Sequence, residues 1–201
     1  MPQSSKTPSP VFLNAIKLML LIGLMASLFV VFKSCQTKKP DLTRFAKGSL
    51  KKLNVLETPP QRPSRVFSAQ NGREMVLSEF DGQFVLLNIW ATWCAPCVAE
   101  IPSLDALQAK YKNKNLQVVT ISMDMAMEDA EAFFNAKGIK QLDVYHDPSL
   151  SVASDLGVSG LPISVIYNEN GRELARISGE VDWMSPEVTR LLDYLLGDNP
   201  S

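Results

Sequence analysis

The sequence predicts an α/β domain, a central mixed sheet flanked by helices, and three observations carry that prediction. Strand-like and helix-like segments alternate from about residue 66 to the end of the chain. Residues 84–90, F-V-L-L-N-I-W, form a near-continuous apolar run of the kind that suits a central strand buried on both faces. Just after it, Cys94 and Cys97 make a Cys-x-x-Cys pair where that strand hands over to a helical pattern.

Ahead of the domain the chain changes character three times. Residues 1–10 are mostly Pro, Ser and polar types that cannot collapse onto a core, so they are expected to be disordered. Residues 11–32 are apolar except for Asn14, Lys17, Ser27 and small residues. As a helix they would run about 33 Å, enough to cross a bilayer core. Lys17 lies near the start of the run, where its stem can snorkel to the interface. Phe32, Lys33 and Ser34 before Cys35 offer no small-residue cleavage site, so an uncleaved single-span anchor is expected rather than a removed signal. The same neighbours make Cys35 a poor lipidation site and leave it an unpaired juxtamembrane cysteine. Residues 33–64 read as a basic, then Pro-rich linker; its stretch T-P-P-Q-R-P must be extended, because each Pro biases its predecessor away from helix.

The domain is expected over residues 65–201. Residues 66–69 and 74–77 flank an Asn71-Gly72 turn and read as a small β-hairpin extension at its start. Ser78 starts a short turn of helix, and residues 84–90 follow as the central strand. Residues 99–112 carry Ile101, Leu104, Leu107 and Tyr111 at helical spacing, with Pro102 expected to kink the early turns. Residues 116–122 are the next strand, 128–137 an amphipathic helix stopped by Gly138, 142–145 a short strand, and 148–156 a helix ended by Gly157. Residues 163–167 and 173–177 read as a strand pair turning at Asn170-Gly171. Ser185 caps a last helix with Pro186 at its first position, ending at Gly197.

Composition bounds the function. At 201 residues and 46% apolar content the chain can bury one good core, and a formal charge of -1 provides no basic field for nucleic acid. Three cysteines, two of them in one pair, are too few for a disulfide framework, which leaves redox chemistry or metal binding for the pair. Cys94 would stand at the positive end of a helix dipole, where unpaired N–H groups stabilise a thiolate, and is the expected nucleophile. Cys97, one turn in, is the expected resolving thiol, and Pro96 fits a first turn where a missing N–H costs little. A structural zinc site needs a second pair or histidines, and beyond the pair the chain has only Cys35 and His146, so no metal is expected. His146 reads as a surface or loop residue. Glu100, three positions after Cys97, is either a partly buried acid that exchanges a proton with that thiol or a first-turn glutamate favoured by the dipole. Trp90 reads as core, and Trp93 as a shield for the thiol that offers an apolar contact to a partner.

With these residues in place, the chain from about residue 66 to 196 resembles the membrane-anchored thioredoxin-like reductases of bacteria, the TlpA/ResA/CcmG group. W-A-T-W-C-A-P-C-V-A-E-I-P and G-L-P-I-S-V-I-Y-N-E-N-G-R-E-L-A-R-I-S-G-E look most like the TlpA branch. The resemblance implies a thioredoxin-like fold, with residues 123–145 as the family's central insertion. It implies a cis bond between Leu161 and Pro162 beside the cysteines, with a partner segment seated on Trp93, Ala95, Pro96, Leu161 and Pro162. It makes Glu100 the active-site acid, since Asn88 stands where thioredoxins carry a buried Asp and cannot titrate. Many members have Thr in place of Leu161.

The expected activity is reduction of disulfides in partner proteins, with Cys94 and Cys97 cycling through a disulfide and no other cofactor. The resemblance further implies partners in respiratory assembly, apocytochrome c or copper-delivery proteins, and an integral-membrane thiol carrier as electron donor. A disulfide oxidase or isomerase is the same site run in reverse, and a copper-binding assembly factor is a rival of another class. The usual copper-chaperone relative has a wider cysteine gap and a nearby histidine. Lys33, Lys38, Lys39, Arg44, Lys47, Lys51 and Lys52 follow the span, against the amino terminus and Lys6 before it and Lys17 near its start, a bias toward a cytoplasmic domain. That rule is weak for long translocated domains, and a tether has little use in a cytosol with soluble reductants. A periplasmic domain on a single-pass anchor in the bacterial inner membrane is therefore expected.

Overall fold

The structure, a computed structural model, describes Asn14 and residues 17–27 and 41–197. The chain divides into two compact units, Met1–Asp41 and Leu42–Ser201. In the first, Asn14 and residues 17–27 are helical, and Leu18, Leu21, Ile22 and Met25 are exposed. Among the described residues no helix is long and apolar enough to cross a membrane. The expected disordered leader, both ends of the expected span and Cys35 lie outside the described residues.

The second unit is built on one eight-stranded mixed sheet. Its strands are β1 (Leu53–Val55), β2 (Phe67–Ala69), β3 (Glu74–Met75), β4 (Phe84–Trp90), β5 (Leu116–Ser122), β6 (Tyr145–His146), β7 (Ile163–Tyr167) and β8 (Glu173–Ser178), in spatial order β1-β8-β7-β4-β5-β6-β2-β3. β4 pairs parallel with β5 and antiparallel with β7, which makes it the central strand that its apolar run predicts. The helices are α1 (Ala95–Tyr111), α2 (Met127–Lys137), α3 (Ser151–Asp155) and α4 (Pro186–Leu195).

Alternation along β4 sorts the core into two faces. Leu86 and Trp90 face a cluster with Cys97, Ile101, Leu104 and Leu107 of α1 and Leu191 of α4. Val85, Leu87 and Ile89 face Phe67, Tyr145, Val152 and Val165 on the other side. Asn88 shares the parity of Leu86 and Trp90, so a fully buried amide points at α1.

Several expectations shift. The stretch from Leu42 to residue 64 is not a free linker: Leu42 and Leu50 are buried, β1 pairs with β8, Arg62 N donates to Gly171 O, and Arg62 forms an ion pair with Asp81. Its apolar runs are too short to mark an element by their own period, so packing rather than pattern decides their burial. α1 starts at Ala95, earlier than its apolar spacing, because Cys94 is extended and accepts the first helical hydrogen bond from Val98 N. The helix runs on through Pro102, which is exposed and has no N–H to give the carbonyl one turn back. Leu77 turns into a single 3-10 turn and shortens β3, and β6 lies at Tyr145–His146, later than expected. His146 is buried, with Nε2 2.8 Å from the carbonyl oxygen of Asp124, and is not a loop residue. Gly138 ends α2 at φ 68°, the left-handed cap its sequence predicts. Ser185 stands at the N-cap of α4 without a side-chain capping bond.

Candidate active site

The site lies where β4 ends and α1 begins. Cys94 and Cys97 are joined in a disulfide with Cα atoms 5.2 Å apart, a separation that the first turn of α1 supplies directly. Cys97 is fully buried, Cys94 lies nearer the surface, and Ala95 and Pro96 are exposed on the turn between them. Trp93 is 69% exposed, so a large apolar ring stands in water beside the disulfide.

The loop before Cys94 is held by Asp124, which the sequence reading did not single out. Its buried carboxylate accepts from Thr92 N at 3.1 Å, Thr92 Oγ1 at 2.7 Å and Ser122 Oγ at 2.7 Å. The signal was a lone Asp two residues past a strand end, which names no partner in sequence.

Glu100 is buried on the sheet side of α1, one turn past Cys97. Asn88 Nδ2 donates to its Oε1 at 2.5 Å, and Val181 N and Trp183 Nε1 donate to its Oε2 at 3.0 and 3.3 Å. Burial pushes its carboxyl up to about 7, against the pull of these three donors, and the nearby charge of Glu180 adds to the rise. Of the two readings of Glu100, the first-turn glutamate favoured by the dipole does not fit, because the helix starts at Ala95 and its first turn holds no acidic residue.

The Leu161–Pro162 bond is cis, as the resemblance implies. Pro162 is buried ahead of β7, whose first residue pairs with Ile89, so it lies at the same end of the sheet as the cysteines. Leu161 and Trp93 line one open groove of about 350 Å³ together with Met123, Leu150, Ala153 and Val158. Leu150 is the one non-glycine residue at positive φ among those described, at 59°, held by its N–H to Asp147 O. Met123, Leu150 and Val158 were not anticipated, because they come from three connections that only the fold brings together. Among the described residues no group of three His, Cys, Asp or Glu is placed to hold a metal.

A thioredoxin-like α/β domain with a redox-active Cys-x-x-Cys at the start of a helix defines a thiol:disulfide oxidoreductase. Residues 40–193 match the Redoxin family model, and the chain belongs to that family. It is similar to the thiol-disulfide oxidoreductase ResA of Bacillus thuringiensis (strain Al Hakam), 31% identical over 120 residues that span 60% of this chain and 69% of that one. Among solved structures it is similar to a protein assigned as thiol:disulfide interchange protein DsbE from Chlorobium tepidum. That match has a TM-score of 0.64 and 30% identity over 71% of this chain and 99% of that one. A secreted thiol-disulfide isomerase from Corynebacterium glutamicum shares the fold, with a TM-score of 0.61 and 24% identity over 81% of this chain and 95% of that one. These likenesses bear out the resemblance at the level of the TlpA/ResA/CcmG group.

Proposed function

We propose that this chain is a membrane-tethered reductase of disulfides in extracytoplasmic proteins. The observation that carries the reading is a buried carboxyl, Glu100, one helical turn behind the buried second cysteine of a Cys-x-x-Cys pair. The Cys94 thiolate attacks one sulfur of a target disulfide, forms a mixed disulfide and releases the other target sulfur as a thiolate. Cys97 gives its proton to Glu100 and attacks Cys94 Sγ, which releases the second target thiolate. The target disulfide gains two electrons and leaves as two thiolates, which take their protons from water, while the Cys97 proton rests on Glu100 and the Cys94–Cys97 disulfide is the enzyme product. An integral-membrane thiol carrier then reduces it again.

Trp93, Leu161 and the groove they line favour an apolar side chain next to the target disulfide, with Ala95, Pro96 and Pro162 completing the seat. The targets in this reading are apocytochrome c or copper-delivery proteins, met in the periplasm by a domain anchored through residues 11–32 in the bacterial inner membrane. A Cys97→Ser variant, expressed with the full N-terminal segment, is expected to accumulate a covalent adduct with its target. If no extracytoplasmic protein is trapped, this reading fails, and an adduct with a cytosolic protein reverses the topology.

A further inference from the structure

The hydrogen bonds around Glu100 restrict where it can carry a proton. Oε2 faces Val181 N–H and Trp183 Nε1–H, two groups that can only donate. Oε1 faces the Asn88 NH2 group. As a carboxylate, Glu100 accepts from all three. As an acid in the same surroundings, a proton on Oε2 would displace one of its two donors, and a proton directed at Asn88 would meet the NH2 group.

Only one of the three partners can answer that change. The Asn88 side chain carries a carbonyl as well as an NH2, and turning the amide over exchanges one for the other. The hydroxyl beside it on β7 serves both orientations. Ser164, registered opposite Asn88 on β7, accepts from Asn88 Nδ2 at 3.0 Å, and its hydroxyl can donate equally well. Thr120, registered opposite Asn88 on β5, has a buried hydroxyl with no partner, and Asn88 Oδ1 is itself buried without one. Asn88 therefore has on β7 a hydroxyl that can give or take its hydrogen bond, and on the β5 side an oxygen that no bond holds in place. The sheet leaves spare capacity at this one amide.

We propose that the Asn88 amide turns over when Glu100 takes up a proton, so that it donates to the carboxylate and accepts from the acid. Asn88 is then a positioning residue that keeps Glu100 hydrogen-bonded in both protonation states. The inference rests on the reading of Glu100 as the proton acceptor for Cys97. Other groups facing Glu100 do not replace Asn88 in this part: Glu180 acts through its charge, Ser103 Oγ bonds the Glu100 backbone carbonyl, and Cys97 is tied up in the disulfide. An Asp at position 88 would not serve either, because two carboxyls would compete for one proton.

The test is a nuclear magnetic resonance titration of the oxidised full chain in detergent micelles, from about pH 5 to about pH 9. It follows the Glu100 side-chain carboxyl carbon and the Asn88 side-chain NH2 group. The expected result is one shared midpoint for both. In Glu100→Gln, the glutamine NH2 must face an acceptor at all pH values while its oxygen keeps Val181 and Trp183. The Asn88 signals should then sit at their acid-limit position throughout. Asn88 signals that stay flat while Glu100 titrates, a Glu100 carboxyl that does not titrate in this range, or a Glu100→Gln protein with Asn88 at its alkaline-limit position would each overturn the proposal. The trapping experiment reads the partner and this one reads the proton, so either reading can fail alone.

Discussion

Glu100 links the fold to pH as well as to chemistry. Its carboxyl is raised from 4.5 to about 7 by burial, so the folded protein holds that proton more tightly than the unfolded chain does. The stability this contributes is fully present below about 4.5 and is lost as pH rises through about 7. At about 1.4 kcal/mol per tenfold, the loss comes to roughly 3–4 kcal/mol. Urea unfolding of the wild type should show that decline, whereas Glu100→Gln, which cannot ionise, should hold nearly constant stability across the same window. Activity is expected to move the other way. In the proposed mechanism Glu100 takes the Cys97 proton only when ionised, so the resolution rate should rise through about pH 7. In Glu100→Gln that rise should vanish and the rate should fall by about 100-fold or more, read by stopped flow on a disulfide-bonded protein. At this scale the sequence was legible in part. The three-residue offset from Cys97 pointed to Glu100, and the cysteine spacing gave the disulfide. Val181 and Trp183 were invisible, since they reach Glu100 from 81 and 83 residues away through the sheet.

Among the elements, the core strands with their own apolar run were read nearly to the residue. β4, β5 and β7 have the expected bounds, and α2 differs by one residue at its start. Elements held by their neighbours were misread. β1 is three residues that exist as a strand because β8 offers an open edge, and nothing in L-N-V marks it beforehand. Leu50 gives this a measurable consequence. As part of a free linker its truncation would change nothing, but a fully buried leucine cut to alanine should cost about 2–5 kcal/mol, measured by chemical unfolding. The turn before Cys94 makes a second prediction of this kind. Asp124→Ala leaves the Thr92 N–H and hydroxyl without their acceptor and should destabilise by about 1–3 kcal/mol. It should also slow attack by Cys94, because the loop that presents Trp93 and the cysteine loses its tie to the end of β5.

For the molecule as a whole, the active site hangs at one end of a sheet whose two edges are closed unequally. On one side the β2–β3 hairpin extends the sheet past β6. On the other, three residues of β1 and the turns before it cover β8, with Leu42 and Leu50 seated in the same core cluster as Cys97. The upstream segment is therefore continuous with the packing behind the disulfide. A chain starting at residue 41 retains the whole compact unit and should unfold in one transition, with thiol-exchange rates unchanged. A chain starting at residue 58 loses β1, Leu42 and Leu50, and each lost leucine removes about 1.5–3 kcal/mol of burial. It also exposes the pairing edge of β8, which is then open to a second chain. The shorter chain should show a lower unfolding midpoint and concentration-dependent association by gel filtration. If it stays monomeric and as stable as the longer one, residues 42–57 are a tether after all, and the core behind Cys97 closes without them.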